Sequence, residues 1–348
     1  VMTHALHYGT AVFEGIRGNW NEDKGVISIF RLREHYERLL RGCKLLMLDI
    51  PYSLDDLCDI TVDLVQKNKH KSDIYIRPLA YKSAEVVANL KLQDLSADFT
   101  LITVPFGNYL GSDTLKCCTS SWRRVDDLMI PARLKIAGIY VNSILAKTEA
   151  TLAGFDEAIL LNHDGHVSEG SGENIFVYSE GTLITSGLED NVLPGVTRNT
   201  IIELAREELG IPVIERTIDR SELYLADEVF LTGTAAHLTP VVELDRRPIG
   251  SGEAGELATQ LQKMYFNIVV GNNPKYNQLF EAMRPLPPGA KRQKIIQQMV
   301  KILQQDAPWV WGFYPKTFAL NHPWIQSLPP NPMVQNGLKY LALEPTLR

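Results

Sequence analysis

The feature that most limits what this chain can become is the way its hydrophobic spacing changes period along its first third. Residues 26–30, VISIF, alternate apolar and polar as a strand does, and residues 31–48 then carry Leu39, Leu40, Leu45, Leu46 and Leu48 on a helical repeat. The run LDDLCDITVDLVQKN repeats at helical spacing again, whereas DIYIRPLAY and DFTLITVPF read as strands. Short strands mixed with helices predict a small α/β domain over residues 1–106. The segment GNYLGSDTLKCCT, residues 107–119, reads as the connection to a second unit that opens at SSWRRVDD and runs over residues 120–276.

In that second unit DEAILLN, HVSEGSGENIFVY and TLITS are strand-like, and HDG between the first two has the Asp-Gly chemistry of a tight hairpin turn. His163 and His166 flank the turn, but no third metal ligand is in view and no metal is expected. Gly170 and Gly172 interrupt a strand pattern and do not open a helix, so they do not read as a phosphate cradle. LPGVTRNTIIELAREELGIP does run from a glycine turn into a helix, with apolar Ile201, Ile202, Leu204, Ala205 and Leu209, stopping at Gly210 before Pro212. Thr197 then lies at a helix N-terminus, where free amides and the helix dipole favour an anion. An ordinary Thr cap explains the same letters.

A formal net charge of -6 argues against nucleic acid or an anionic membrane surface as a partner, since both need a clustered basic face. No apolar run approaches the ~18 residues of a membrane span, and the start carries no basic-then-apolar leader, so the expected location is the cytoplasm. Cys43, Cys58, Cys117 and Cys118 lack metal-ligand spacing and read as buried free thiols.

The chemistry centres on Lys135, in IPARLKIAGIYVNS, followed a strand and a turn later by Glu169 and Asn174. A lysine that condenses with an aldehyde and a carboxylate that faces a ring nitrogen are the minimum equipment for pyridoxal phosphate. Tyr8, Phe13, Tyr75 and Tyr109 can wall an apolar pocket, and Arg17 and Arg77 can meet carboxylates. Core packing accounts for Phe13 and Tyr75 equally well, a surface helix position for Arg38, and a strand-ending turn for the letters around Thr234.

Eight blocks taken together resemble the branched-chain amino acid aminotransferases of the fold-type IV pyridoxal phosphate group: HALHYGTAVFEGIRG, FRLREHYERL, YIRP, SSWRRVDD, the Lys135 segment, SEGSGEN, LPGVTR and LTGTAAHLTPV. The resemblance covers residues 1–276 and implies a two-domain α/β fold, α+β mixed, with a small domain that lacks its first strand here and a larger cofactor-binding domain. It implies that Lys135 carries the cofactor and moves the substrate proton. Glu169 and Asn174 would serve the ring nitrogen side, Tyr140 the ring oxygen, and Arg38, Gly195, Val196, Thr197 and Thr234 the phosphate. Tyr8, Phe13, Gly15, Arg17, Tyr75, Arg77, Tyr109, Ala235 and Ala236 would form the substrate pocket, with Arg77 meeting the distal carboxylate of glutamate. The activity implied is exchange of the amino group of leucine, isoleucine or valine with 2-oxoglutarate, in a homodimer or higher homo-oligomer.

The tail, residues 277–348, departs from that pattern. RQKIIQQMVKILQQDAPWV and NPMVQNGLKYLALEP resemble the C-terminal end of peptide-type extracellular solute-binding proteins, and a helix is expected at 291–305. A transport-associated fragment and an inactive aminotransferase fusion are the alternative readings.

Overall fold

The alternating apolar positions build a first sheet whose strands bury one face over two helices. The structure, a computed structural model, describes residues 2–107, 113–270, 289, 291–295, 297–298, 325–327 and 341–343. A short helix α1 (His4–Tyr8) leads into β1 (Ala11–Phe13), β2 (Ile16–Asn21) and β3 (Val26–Ile29), then α2 (Leu32–Leu45) and α3 (Leu54–Asn68), then β4 (Ile74–Lys82) and β5 (Ala97–Pro105). The long strand β4 holds the sheet together, pairing antiparallel with β1 and β2 on one side and with β5 on the other, and leaving β3 and β5 at the edges. Its burial alternates strictly, with Ile74, Ile76 and Ala80 turned into the core against Leu39, Leu57 and Val65 of the helices. Helix α3 starts where the sequence stops it from starting earlier: Ser53 and Asp56 close a reciprocal capping box.

The second sheet is larger and buried on both faces. It begins with β6 (Leu115–Arg123), so the later part of the 107–119 connection is already strand. After α4 (Tyr140–Leu152) come β7 (Glu157–Leu161), β8 (Val167–Gly170), β9 (Asn174–Ser179) and β10 (Thr182–Thr185). Then follow α5 (Val196–Glu203), β11 (Val213–Glu215), α6 (Arg220–Leu225), β12 (Glu228–Gly233), β13 (His237–Leu244), β14 (Arg247–Pro248) and α7 (Glu256–Val269). The strand order is β11-β10-β9-β12-β13-β6-β7-β8, with β14 beside β13, and the pairings are parallel at β10–β11, β13–β6 and β6–β7. In β9 and β12 successive residues face opposite cores. Ile175, Val177, Val229 and Leu231 pack on the α6 side, while Phe176 and Phe230, cross-strand partners with rings stacked at 5.1 Å, pack under α5 and α7. The same alternation sends Cys117 and Cys118 into different clusters, and all four cysteines are free and buried.

Two expectations shift in detail. The run HVSEGSGENIFVY is two strands, broken by a turn at residues 171–173 between β8 and β9. The helix after LPGVTR is regular only to Glu203 and widens into a π turn over Leu204–Glu208, where the Leu209 N–H reaches back five residues to the Leu204 carbonyl. The hairpin at HDG forms as read, with the Asn162 N–H donating to the His166 carbonyl at 2.8 Å. By chain contacts residues 311–348 form a unit apart from residues 1–310; in it β15 (Ile325–Ser327) and β16 (Leu341–Leu343) pair antiparallel. Of the helix expected at 291–305, residues 291–295 and 297–298 are helical and the others lie outside the described residues.

Candidate active site

The segment carrying Lys135 is laid against the first sheet. The Phe13 N–H donates to the Lys135 carbonyl at 3.1 Å and Ile136 bridges Val12, after which a single turn over Ala137–Ile139 reverses into α4 at Tyr140. That turn is why residues five apart share one space: Lys135 Nζ lies 5.4 Å from the Phe13 ring centre and 5.5 Å from that of Tyr140, and the two rings are 4.8 Å apart. Lys135, Tyr140, Glu169 and Asn174 line one cavity that opens to solvent, together with Arg124, Ser143 and Gly172.

Glu169 is 5% exposed and fully engaged. Arg124 Nη2 sits 2.6 Å from its Oε1, while Asn174 Nδ2 and the Leu193 N–H donate to Oε2 at 2.9 and 3.0 Å. Burial pushes this carboxyl above its usual range, and Arg124, the Leu193 amide and Lys135 pull against that shift. Asn174 is pinned in turn by donating to the Leu193 carbonyl at 2.8 Å.

Beyond Leu193 the chain enters α5 with Gly195 as the N-cap, so Thr197 is not the cap but a buried residue inside the first turn, its hydroxyl 3.5 Å from that of Tyr265. A side chain at residue 195 has no room, because a Cβ there would come within 2.1 Å of Asn174 Oδ1. Arg38 reaches the same corner, with Nη1 donating to the Pro194 carbonyl at 2.8 Å. Its fork does not stand open to two phosphate oxygens. Nε and Nη2 are both taken by Glu14, at 2.7 and 2.8 Å, and Glu14 also accepts from His35 at 2.9 Å. Burial opposes the charge on Glu14, but the Arg38 guanidinium and the two hydrogen-bonding partners outweigh it and hold the carboxyl far below its usual range. Arg38 therefore offers one edge and a net charge that Glu14 largely balances.

On the other side of Phe13, the Arg77 guanidinium lies 4.3 Å from the ring centre and donates to the Tyr75 hydroxyl at 2.8 Å. Gly15 is a close approach, since a Cβ there would fall 2.3 Å from that hydroxyl. Arg17 pairs with Asp73 at 2.8 Å through Nη2, yet its Nε and Nη1, and Arg77 Nε, are buried without a partner among the described residues. Buried donors left open in this way fit an acceptor that the protein itself does not supply. Thr234, Ala235 and Ala236 form the turn joining β12 to β13, and a Cβ on the preceding Gly233 would lie 3.4 Å from the Gly172 carbonyl, so the turn begins beside the cavity wall.

Of the expected pocket residues, Tyr8 does not line this cavity. Tyr8 is 42% exposed and its hydroxyl accepts the Ala88 N–H at 2.9 Å. Tyr109 lies outside the described residues. His163 and His166 stay at the surface, and no cluster with metal-ligand geometry occurs among the described residues. Three residues of the site were passed over in the sequence: Arg124, Glu14 and Glu173. Each stood in a recognised block, but nothing local distinguishes a buried counter-ion from a surface charge.

The residues fit a flat, phosphorylated pyridine. An amine and a phenol face the cavity, a guanidinium-held carboxyl lies across it, and Leu193 in its wall stands three residues before the helix that opens at Val196. Residues 11–244 match the family described as amino-transferase class IV. A probable branched-chain-amino-acid aminotransferase of Aquifex aeolicus is 50% identical over 79% of this chain and 89% of its own length. The crystal structure of the branched-chain aminotransferase of Thermoproteus uzoniensis with norvaline matches at 45% identity and a TM-score of 0.75, over 79% of this chain and 91% of that one. The branched-chain amino acid aminotransferase of Thermobaculum terrenum, in its PLP-bound holo-form, matches at 40% identity and a TM-score of 0.72, over 78% of this chain and 88% of that one. With the fold, the cavity and these relatives in agreement, the chain belongs to the class IV aminotransferases, among the branched-chain-amino-acid aminotransferases.

Proposed function

We propose that this chain catalyses the pyridoxal phosphate-dependent exchange of the amino group of leucine, isoleucine or valine with 2-oxoglutarate, giving branched-chain 2-oxo acids and glutamate. The observation that carries the reading is the enclosure of the Lys135 amine, the Tyr140 ring and the Arg124-held Glu169 carboxyl in a single cavity. The cofactor, when bound, supplies an electron sink for the charge that develops on the substrate α-carbon. Lys135 would hold it and would serve as the base and acid for the substrate α-proton. Glu169, held by Arg124 and the Leu193 amide, would face the ring nitrogen. Tyr140 steadies the ring oxygen, Asn174 keeps Glu169 in place, and the amides of Gly195, Val196 and Thr197, with Arg38 and Thr234, take the phosphate. Phe13, Gly15 and Tyr75 shape the apolar pocket, the turn at Thr234, Ala235 and Ala236 takes one carboxylate, and the open edges of Arg77 and Arg17 suit a second.

The division into residues 1–106, 107–119, 120–276 and 277–348 is part of the same reading, supported by two separate sheets. So is a homo-oligomer: Leu6 and Tyr8 on α1 and Ile102 and Val104 on β5 are exposed apolar residues that a second copy would cover. A cytoplasmic enzyme agrees with the finding that no helix among the described residues is long and apolar enough to cross a membrane. In the test, pyridoxal phosphate added to the purified protein should give a protein-bound absorption band that shifts on adding leucine, with glutamate formed once 2-oxoglutarate follows. Lys135→Ala should show neither; turnover in that variant, or no band in the parent, refutes the proposal.

A further inference from the structure

The hairpin between β12 and β13 closes on a residue whose backbone is held against its own preference. Gly233 and His237 are the last cross-strand pair before the turn Thr234–Ala236, and His237 stands at φ 57°, in the left-handed region. Three-residue hairpin connections commonly need one residue in that region, and glycine is the usual choice because it enters without strain. A histidine in that place is sustained by what its side chain touches.

The imidazole rests against two aromatic residues of α7. Its centre lies 5.8 Å from that of Tyr265 at an interplanar angle of 61°, and 4.8 Å from that of Phe266 at 53°. Nδ1 is buried without a partner among the described residues, so packing rather than a hydrogen bond at that atom holds the ring. Helix α7 is itself fixed to the hairpin: Leu261 and Tyr265 belong to the cluster that buries Leu238, and Gln262 Nε2 donates to the Leu238 carbonyl at 2.8 Å. The Thr239 hydroxyl donates to the Ala236 carbonyl at 2.8 Å and so ties the end of the turn to β13. Tyr265 also meets the first turn of α5, its hydroxyl 3.5 Å from that of Thr197.

We propose that His237 is a positioning residue for the aminotransferase reaction: its ring, set against Tyr265 and Phe266, fixes the turn Thr234–Ala236 in the form that takes a substrate carboxylate. The inference rests on the reading of that turn as a carboxylate site. Without the ring the hairpin still forms, but its closing residue is no longer held to one conformation. The turn then has to be ordered when the carboxylate arrives, and binding weakens by that cost.

The test compares the parent with His237→Asn, which enters the left-handed region readily but has no ring, and with Phe266→Ala, which removes the facing ring and leaves His237 in place. Two probes divide the leucine molecule between them: 4-methylvalerate carries its carboxylate without the amine, and 3-methylbutylamine its amine without the carboxylate. Both are titrated calorimetrically into protein saturated with pyridoxal phosphate. In His237→Asn the dissociation constant of 4-methylvalerate should rise about tenfold while that of the amine changes by less than about twofold. Phe266→Ala should give a smaller rise of about threefold, and the double variant should be no worse than His237→Asn, since both act through one contact. In cofactor-free protein, hydrogen exchange of residues 231–239 should quicken in His237→Asn while residues 174–178 of β9 keep the parent's protection. Unchanged affinity for 4-methylvalerate, equal weakening of both probes, additive losses in the double variant, or exchange that quickens in both segments alike each overturn the proposal. A parent that fails to bind pyridoxal phosphate sinks the functional reading instead, and the exchange readout still judges whether His237 holds the turn.

Discussion

Arg124→Gln should destabilise the protein by an amount that depends on pH, and both the size and the slope follow from the buried pair. Arg124 and Glu169 are 5% and 6% exposed and 2.6 Å apart. Removing one member of such a pair leaves a charge in low dielectric and costs about 3–5 kcal/mol. Glu169 has a way out, because it can take up a proton. A carboxyl whose usual value is 4.5 costs about 1.4 kcal/mol per pH unit to keep protonated above that value, or roughly 3 kcal/mol at pH 7. The expected loss is therefore about 3 kcal/mol at pH 7, with something under 1 kcal/mol more for the long contacts of Arg124 to Ser143 and the Asn191 carbonyl. It should shrink to between about 1 and 2 kcal/mol at pH 5.5, where protonation is cheaper. Denaturant unfolding at the two pH values measures it, and adding Glu169→Gln to the variant should recover about 2–3 kcal/mol of coupling. A loss below about 1 kcal/mol at pH 7, or one that does not diminish on acidification, would refute the assignment of Arg124 as the counter-ion of this carboxyl.

Gly195→Ala should lower cofactor affinity by about tenfold or more, because its Cβ would strike Asn174 Oδ1 and displace both the Glu169 partner and the helix N-terminus; fluorescence titration with pyridoxal phosphate checks it. Glu14→Gln, which frees Arg38 from a bidentate carboxylate, should cost about 2–4 kcal/mol of stability, read from denaturant unfolding, for it strands a guanidinium that is 7% exposed. His237, held down to about 4 by burial and by the nearby Arg17, is neutral in the fold across the range where the unfolded chain is charged. Stability should accordingly fall by up to about 3 kcal/mol as pH drops from 6.5 to 4, and His237→Asn should flatten that part of the melting-temperature profile.

The cavity's four central residues were legible because each stands in a block whose letters constrain one another. Lys135 and Tyr140 are five apart, and Glu169 and Asn174 flank the break between two strands. The strands and helices of the first domain were legible from period alone, since β4 alternates strictly and α2 and α3 carry single apolar faces. Glu14 and Arg124 were not, because a charged letter is the same whether it lies on the surface or at 0% exposure with a partner brought from far along the chain. Tyr8 is 42% exposed and does not line the cavity, and nothing in its own block of letters marks that.

By itself, then, the sequence determined the periods, the caps, the glycine that opens α5, and the amine without which no cofactor could be attached, because these depend on residues close together in the chain. Only the tertiary structure decided which charges are paired and which carry a proton. Arg38 is shared between Glu14 and the helix corner, Glu169 leans on Arg124, and Glu173 is crowded by Glu157. Proton affinities are set by burial and by charges a few ångströms away, and those distances exist only once strands distant in sequence have been laid side by side.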